Sequence, residues 1–409
     1  METKSNSYFI DRIIKFLFVF YVFSVFVFST NADTSVIPKI ALILFCGGSC
    51  LLFFNTYKIR LDAYFWYLFV FLAFTYLSSF WAIYPDLARI KAFTLLQLLM
   101  MSVFSYSFFY AIDDYEFIIK SVFWAGLAMC IYVLYTYGIG TYLSMLVNGE
   151  RVGSEITNVN SIGMYAAITV IIGLYYAIYD NKKLYYFIIL LPIFIGFGTG
   201  SRKTLLAMVI GAFILFAFKF RSEFTLKNIF KTLVILIIVV IIFSFILQLE
   251  MFSTINERME GMLNSFTGKG EVDSSTMKRQ MMIGGGWEQF KKTPLLGIGI
   301  GSSKYVTLDE LGIEAYLHNN YIELLACGGI VGFVCFYSAL LYIGINFFKL
   351  VLNNNKNALI PFAIFLIYMI NQVALVVYYS KSFYIYIIYW FLVIKKEKEK
   401  EEGMKLNYE

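Results

Sequence analysis

The sequence holds one histidine, His318, and five cysteines, Cys46, Cys50, Cys130, Cys327 and Cys335. All five cysteines lie within or at the edge of apolar runs. That is where small core residues sit, not a disulfide framework. One histidine and no loop cysteine argue against a dedicated zinc site. Charge is scarce as well: 15% of residues are charged, where soluble domains carry about a quarter. No Walker pattern occurs. Gly297, Gly299 and Gly301 in "PLLGIGIGSS" miss the spacing of a dinucleotide loop and have no strand-helix-strand unit around them. Any energy for chemistry must therefore arrive with the substrate. The short alternating segments of an outer-membrane barrel are missing. So is the internal repeat that many transporters carry. The net charge of +6 does not point to nucleic acid.

What the chain does have is apolar length. Hydrophobic residues make up 60%, in runs of about twenty, enough to cross a bilayer core as a helix. A backbone in lipid must satisfy its own hydrogen bonds, so the spans are expected to be helical. The predicted fold is all-α, a polytopic membrane bundle of about twelve transmembrane helices. They fall near 13–29, 37–57, 61–83, 92–111, 117–138, 161–179, 184–199, 203–220, 229–249, 321–348, 358–379 and 382–394. The first run has no small-x-small cleavage site after it and reads as a retained helix.

Lys/Arg bias places both termini in the cytoplasm. The chain then divides into membrane helices over 1–249, a large extracytoplasmic loop over 250–320, further membrane helices over 321–394 and a charged, solvated tail over 395–409. A structureless connection of that length is uncommon and usually functional. This loop carries helical patches, "STINERMEGMLNSF" and "TMKRQMMIGGGWEQFKK", with Gly284-Gly285-Gly286 read as a break between helices. Amphipathic helices on the outer surface are expected there.

Candidate residues gather at the outer ends of helices. In "GTGSRKTLLAMV" Ser201 and Arg202 stand where one span turns into the next. Ser201 suits an N-cap, and the amides behind it suit an anion; a charge marking a helix end would look the same. Arg279 shares a helical face with Met282 and with Gly286 or Trp287. His318 precedes a long apolar helix, and histidine moves protons near neutral pH. Glu323 lies off the histidine's face on a regular helix, leaving it a weak orienting partner. Arg151, Asn158 and Asn160 precede another span, where an asparagine could serve only as a cap. Arg89 and Lys91, near Pro85, add positive charge at one more helix end. Arginines and helix amino ends suit a lipid phosphate or pyrophosphate.

Four stretches in order carry a resemblance: "RVGSEITNVNSIGMY", "GTGSRKTLLA", "RQMMIGGGWEQFKKTPLLGIGIGSSKY" and "HNNYIELLACGGIVGFVCFYSALLY". Together they resemble the O-antigen ligase and O-antigen polymerase superfamily of bacterial membrane glycosyltransferases. The motifs cover about residues 140–350, and the span pattern covers the whole chain. The resemblance implies inverting, metal-independent and cofactor-free transfer from an undecaprenyl-pyrophosphate-linked glycan. The transfer would occur on the outer face of the inner membrane. His318 would be the base acting on the acceptor hydroxyl. Arg202 and Arg279 would hold the pyrophosphate, with Ser201, Arg151, Asn158 and Asn160 as further binding residues. The glycine run before Trp287 departs from the expected helix. The acceptor would be a second lipid-linked repeat unit for a polymerase, or a lipid A-core sugar for a ligase. A chain-length regulator and a flippase are implied partners. The sequence ranks polymerase first, ligase second, and a transporter or flippase of a lipid-linked glycan third.

Overall fold

The computed structural model describes residues 2–29, 34–156, 158–219 and 274–406. Among these, the regular structure is helical. In chain order the helices are α1 Glu2–Phe28, α2 Val36–Thr56, α3 Ala63–Ser78, α4 Pro85–Ala111, α5 Glu116–Tyr137, α6 Ile139–Val147, α7 Val159–Ile178, α8 Tyr185–Ile188, α9 Leu190–Gly198 and α10 Arg202–Lys219. They continue with α11 Ser274–Lys292, α12 Ser303–Leu311, α13 Asn320–Leu352, α14 Leu359–Asn371 and α15 Lys381–Leu406. The expected span at 229–249 and the patch "STINERMEGMLNSF" lie outside the described residues.

The expectation of about twelve spans is corrected. Among the described residues four helices are long and apolar enough to cross a membrane: α4, α5, α7 and α13. The protein is membrane-embedded, but the other apolar runs fall short in one of two ways. Some are too brief, as in α3 and in α14 with its preceding 3-10 turn. Others carry charge: every eighteen-residue stretch of α1 includes Asp11, Arg12 and Lys15, and α10 contains Arg202, Lys203 and Lys219.

The chain forms two compact units. One contains Val22–Lys39 and Ile119–Asp273. In it α7 packs against α9 and α10, and Gly126, Gly163 and Gly173 let neighbouring helices approach closely. The other contains Met1–Tyr21, Ile40–Ile118 and Ser274–Glu409, and holds α3, α4 and α11 to α15.

Within the second unit, α13 is not one straight rod. Gly329 has φ 60° and ψ −165°, and the helix folds there. The first leg turns back far enough that Asn320 Nδ2 donates to Tyr337 Oη at 2.9 Å, and the Tyr321 and Tyr337 rings stack at 5.1 Å. On an uninterrupted helix those positions would be about 25 Å apart. The fold frees backbone groups, and the segment after α11 takes them up. Ile330 N donates to Pro294 O at 2.8 Å, Val331 N to Leu295 O at 3.2 Å, and Ile298 N to Ala326 O at 3.1 Å. The close backbones explain two glycines. A Cβ at Gly329 would meet the Leu295 carbonyl carbon at 2.3 Å, and one at Gly297 would meet that of Cys327 at 2.4 Å. The "PLLGIGIG" glycines thus serve backbone packing.

The glycine run in α11 also departs from expectation. Gly284, Gly285 and Gly286 do not break the helix. A Cβ on Gly285 would meet Glu310 Cγ at 2.5 Å, and one on Gly286 would meet Ile322 Cγ2 at 2.5 Å and Leu317 Cδ1 at 2.8 Å. The missing side chains let α11 press against its neighbours.

The charged tail is clasped, not solvated, where it leaves the apolar part of α15. Glu397 is buried. It accepts hydrogen bonds from Asn355 Nδ2 at 2.6 Å, Asn357 Nδ2 at 3.1 Å, Lys400 Nζ at 2.8 Å and Tyr115 Oη at 3.2 Å. Burial works to raise its pKa, but the bonds from Asn355, Lys400 and Asn357 outweigh that and hold it below the usual carboxylate range. All five cysteines are free, with Cys46, Cys130 and Cys327 buried.

Candidate active site

His318 stands one residue before the N-cap of α13. The cap is Asn319, whose side chain accepts from Ile322 N at 3.1 Å. Asparagine suits this position because its short carbonyl satisfies an amide the helix leaves open. His318 itself has φ 54°. A side-chain-bearing residue in the left-handed region is uncommon and costs roughly 1–3 kcal/mol unless its surroundings enforce it.

The enforcing contacts are visible on both sides. Glu323, buried at 2% exposure, accepts from Leu317 N at 2.9 Å and from Tyr378 Oη at 3.3 Å. It therefore grips the backbone immediately ahead of the histidine. On the other side, Asn320 N donates to Gln372 O at 2.8 Å and its Nδ2 to Gln372 Oε1 at 2.9 Å. Its Oδ1 accepts from Val377 N at 2.9 Å and Tyr378 N at 3.3 Å. A single asparagine thus ties the start of α13 to the segment joining α14 and α15.

Cationic side chains surround this frame. Lys91, from the second turn of α4, lies 3.1 Å from the centre of the Tyr379 ring and interacts electrostatically with Glu323. The Tyr316 ring packs at 4.0 Å from that of His318, tilted by 41°. The Tyr316 hydroxyl has its pKa raised, by burial first and by the Glu323 charge second, against the opposing pull of Arg279. Arg279 therefore lies within electrostatic reach of the Tyr316 hydroxyl. The cluster combines a fixed imidazole, an arginine, a lysine and a buried carboxylate. That set can take a proton from a hydroxyl and balance negative charge on a leaving group. Among the described residues, no group of three His, Cys, Asp or Glu side chains could hold a metal ion.

The remaining candidates assemble in the other unit. Arg151 donates from Nε to Thr199 O at 2.9 Å and from Nη2 to Asn160 Oδ1 at 3.3 Å. Ser201 Oγ donates to the same Asn160 oxygen at 3.2 Å. Asn158 caps α7, accepting from Asn160 N at 3.0 Å. Ser201 O receives Thr204 N at 3.0 Å and Leu205 N at 3.4 Å as α10 begins with Arg202. Arg151, Asn160 and Ser201 thus form one network that braces the turn ahead of Arg202.

Part of the chain has a counterpart among known proteins. Residues 187–337 match the family model described as O-Antigen ligase. The matched stretch takes in Ser201, Arg202, Arg279 and His318 and leaves out Arg151, Asn158 and Asn160. It gives the protein an O-antigen-ligase-type domain and supports a membrane function in glycan handling. Its description favours the ligase over the polymerase that the sequence alone ranks first. No curated protein compared with the chain matches it.

Sequence reasoning missed the grip of Glu323 on Leu317, the clasp of Asn320 and the electrostatic influence of Lys91 on Glu323. The first had a faint signal, a lone acid in the first turn of an apolar helix. The others join residues far apart in the chain and leave no local pattern.

Proposed function

We propose that the protein is a membrane glycosyltransferase of the ligase type, moving a glycan from a lipid-diphosphate carrier to a hydroxyl acceptor. The observation that carries this reading is the left-handed, doubly braced backbone at His318, inside the matched stretch, with Arg279 acting on the neighbouring Tyr316 and Lys91 on the bracing Glu323. His318 takes the proton of the acceptor hydroxyl as its oxygen bonds to the anomeric carbon. The bond from that carbon to the diphosphate oxygen breaks, and its electron pair leaves with the lipid diphosphate. Attack opposite the leaving group inverts the anomeric centre. Arg279 grips the diphosphate in a planar, two-point fashion that lysine lacks, and Lys91 adds a point charge. Within its own unit, Arg202 at the amino end of α10 is a separate candidate for holding an anion, and the Arg151–Asn160–Ser201 network positions its turn. The ligase reading takes precedence because the matched model carries that description.

The test is glycan transfer by purified protein supplied with a lipid-diphosphate-linked oligosaccharide, with and without a separate lipid-borne core acceptor. Product only when the core acceptor is present supports the ligase. Longer glycans on the carrier alone identify a polymerase. His318→Ala should slow transfer by about 10²–10⁴-fold, the usual share of positioned proton transfer, while donor binding persists. An alanine variant as fast as the wild type would remove His318 from the mechanism.

A further inference from the structure

The site holds a hydroxyl that the reaction above leaves unused. Tyr316 stands two residues before His318, and its ring lies 4.0 Å from the imidazole, centre to centre. The segment between α12 and α13 carries no helix at this point. Along extended chain, alternate side chains share a face, and the ring contact shows that these two do. Leu317, between them, is fully buried, and a Cβ on Gly286 of α11 would meet it.

Tyr316 is held from both sides. Ahead of it, Thr307 of α12 is buried, and its hydroxyl accepts from Ala315 N and donates to Ala315 O, both at 3.1 Å. Behind it, Glu323 accepts from Leu317 N at 2.9 Å. Two buried polar side chains thus anchor the peptides on either side of one ring. That ordering has an entropic cost, and a surface loop has no need of it.

The tip of the ring is left available. Tyr316 is half-buried, and its hydroxyl is not sealed in. Among the described residues, the hydroxyl has no hydrogen-bond partner. Other phenols of the same frame are committed: Tyr378 donates to Glu323, Tyr337 to Gln372 and Tyr321 to the Met369 carbonyl. Burial and Glu323 keep the Tyr316 hydroxyl protonated, against the pull of Arg279. A neutral O–H donor in the field of an arginine suits one oxygen of an anion whose other oxygens the arginine takes.

We propose that Tyr316 is a catalytic hydrogen-bond donor to the diphosphate of the lipid-linked glycan. This rests on the glycosyltransferase reading above and adds the residue that meets the leaving group. As the bond from the anomeric carbon to the diphosphate oxygen breaks, its electron pair stays on that oxygen. Tyr316 Oη donates to the diphosphate as that charge grows. It keeps its own proton, since a phenolate is the stronger base. The acceptor's proton is then on His318, and the leaving group departs as the anion. Contact between the two rings holds the imidazole and the donor hydroxyl at a fixed spacing, one for each oxygen flanking the reacting carbon.

The test uses full-length protein in detergent, a lipid-diphosphate-linked oligosaccharide and the acceptor that supports transfer. Tyr316→Phe removes the hydroxyl and keeps the ring. Its kcat should fall about 10–100-fold, the range for a hydrogen bond to a charged group. KM for the lipid-linked glycan should stay within about threefold, because the bond strengthens only as charge develops. The product, a polyprenyl diphosphate, carries that charge and should inhibit the variant about tenfold more weakly than the wild type. Thermal unfolding should be unchanged. Tyr305→Phe, at an exposed position of α12, should behave as wild type throughout. A Phe variant with wild-type kcat would overturn the assignment, even if Tyr316→Leu were inactive, since the ring alone would then be what counts. A Phe variant slowed only in step with a lower melting point, with product inhibition unchanged, would overturn it too. Each of these outcomes leaves wild-type transfer, and the glycosyltransferase reading, standing. A wild type that transfers glycan to neither acceptor would defeat both.

Discussion

At the scale of single residues, the site depends on one buried acid. Glu323 holds the Leu317 amide and faces the Lys91 charge. Glu323→Ala should lower stability by roughly 1–3 kcal/mol, the range for leaving a buried hydrogen-bonding group without its partner. Glu323→Gln, which can still accept from Leu317, should lose less. Thermal unfolding in detergent measures both, and an unchanged midpoint for the alanine variant would mean that other contacts hold the loop. His318 was legible from the sequence because it is unique and stands before an apolar helix. Glu323 was undervalued for a geometric reason. Five positions along a regular helix would place it off the histidine's face, but its contact is with the backbone ahead of the helix. Lys91 was visible only as a charge at a helix end, since its partners come from distant parts of the chain.

At the scale of elements, glycines decide which helices bend and which merely approach. Gly284 has nothing within 4 Å of a built Cβ and lies inside α11. Gly284→Ala should therefore stabilise the protein by up to about 1 kcal/mol, the gain in helix propensity. Gly329→Ala should do the reverse. It combines a φ of 60° with a Cβ 2.3 Å from the Leu295 backbone, and backbone cannot rotate aside as a side chain can. Its melting point should fall and transfer should be lost, measured in parallel with Gly284→Ala. A Gly329→Ala enzyme with normal activity and melting would show that the fold in α13 is dispensable. The sequence gives these positions the same letter. Reading the run at 284–286 as a break follows from composition, whereas the structure uses two of those glycines for contact and puts the true break at Gly329.

At the scale of the whole molecule, helices were legible and their number was not. Hydropathy counts apolar runs. It cannot distinguish a run that crosses from one that ends early, as α14 does. Orientation is a separate expectation, which the Lys/Arg bias predicts and labelling can test. A cysteine at the exposed Glu314 should react with a membrane-impermeant maleimide in intact cells, and one at Glu402 only after lysis. The reverse pattern would invert the orientation. The clasp at Asn320 has a further consequence, one of timing. Its partner Gln372 lies 52 residues later, and the amides of Val377 and Tyr378 follow 57 and 58 residues later. At roughly 5–20 residues per second, a ribosome needs several seconds to supply them. A nascent chain can already carry His318 and Arg279 without the frame that holds the histidine. The frame around His318 can therefore close only after the segment joining α14 and α15 has been made.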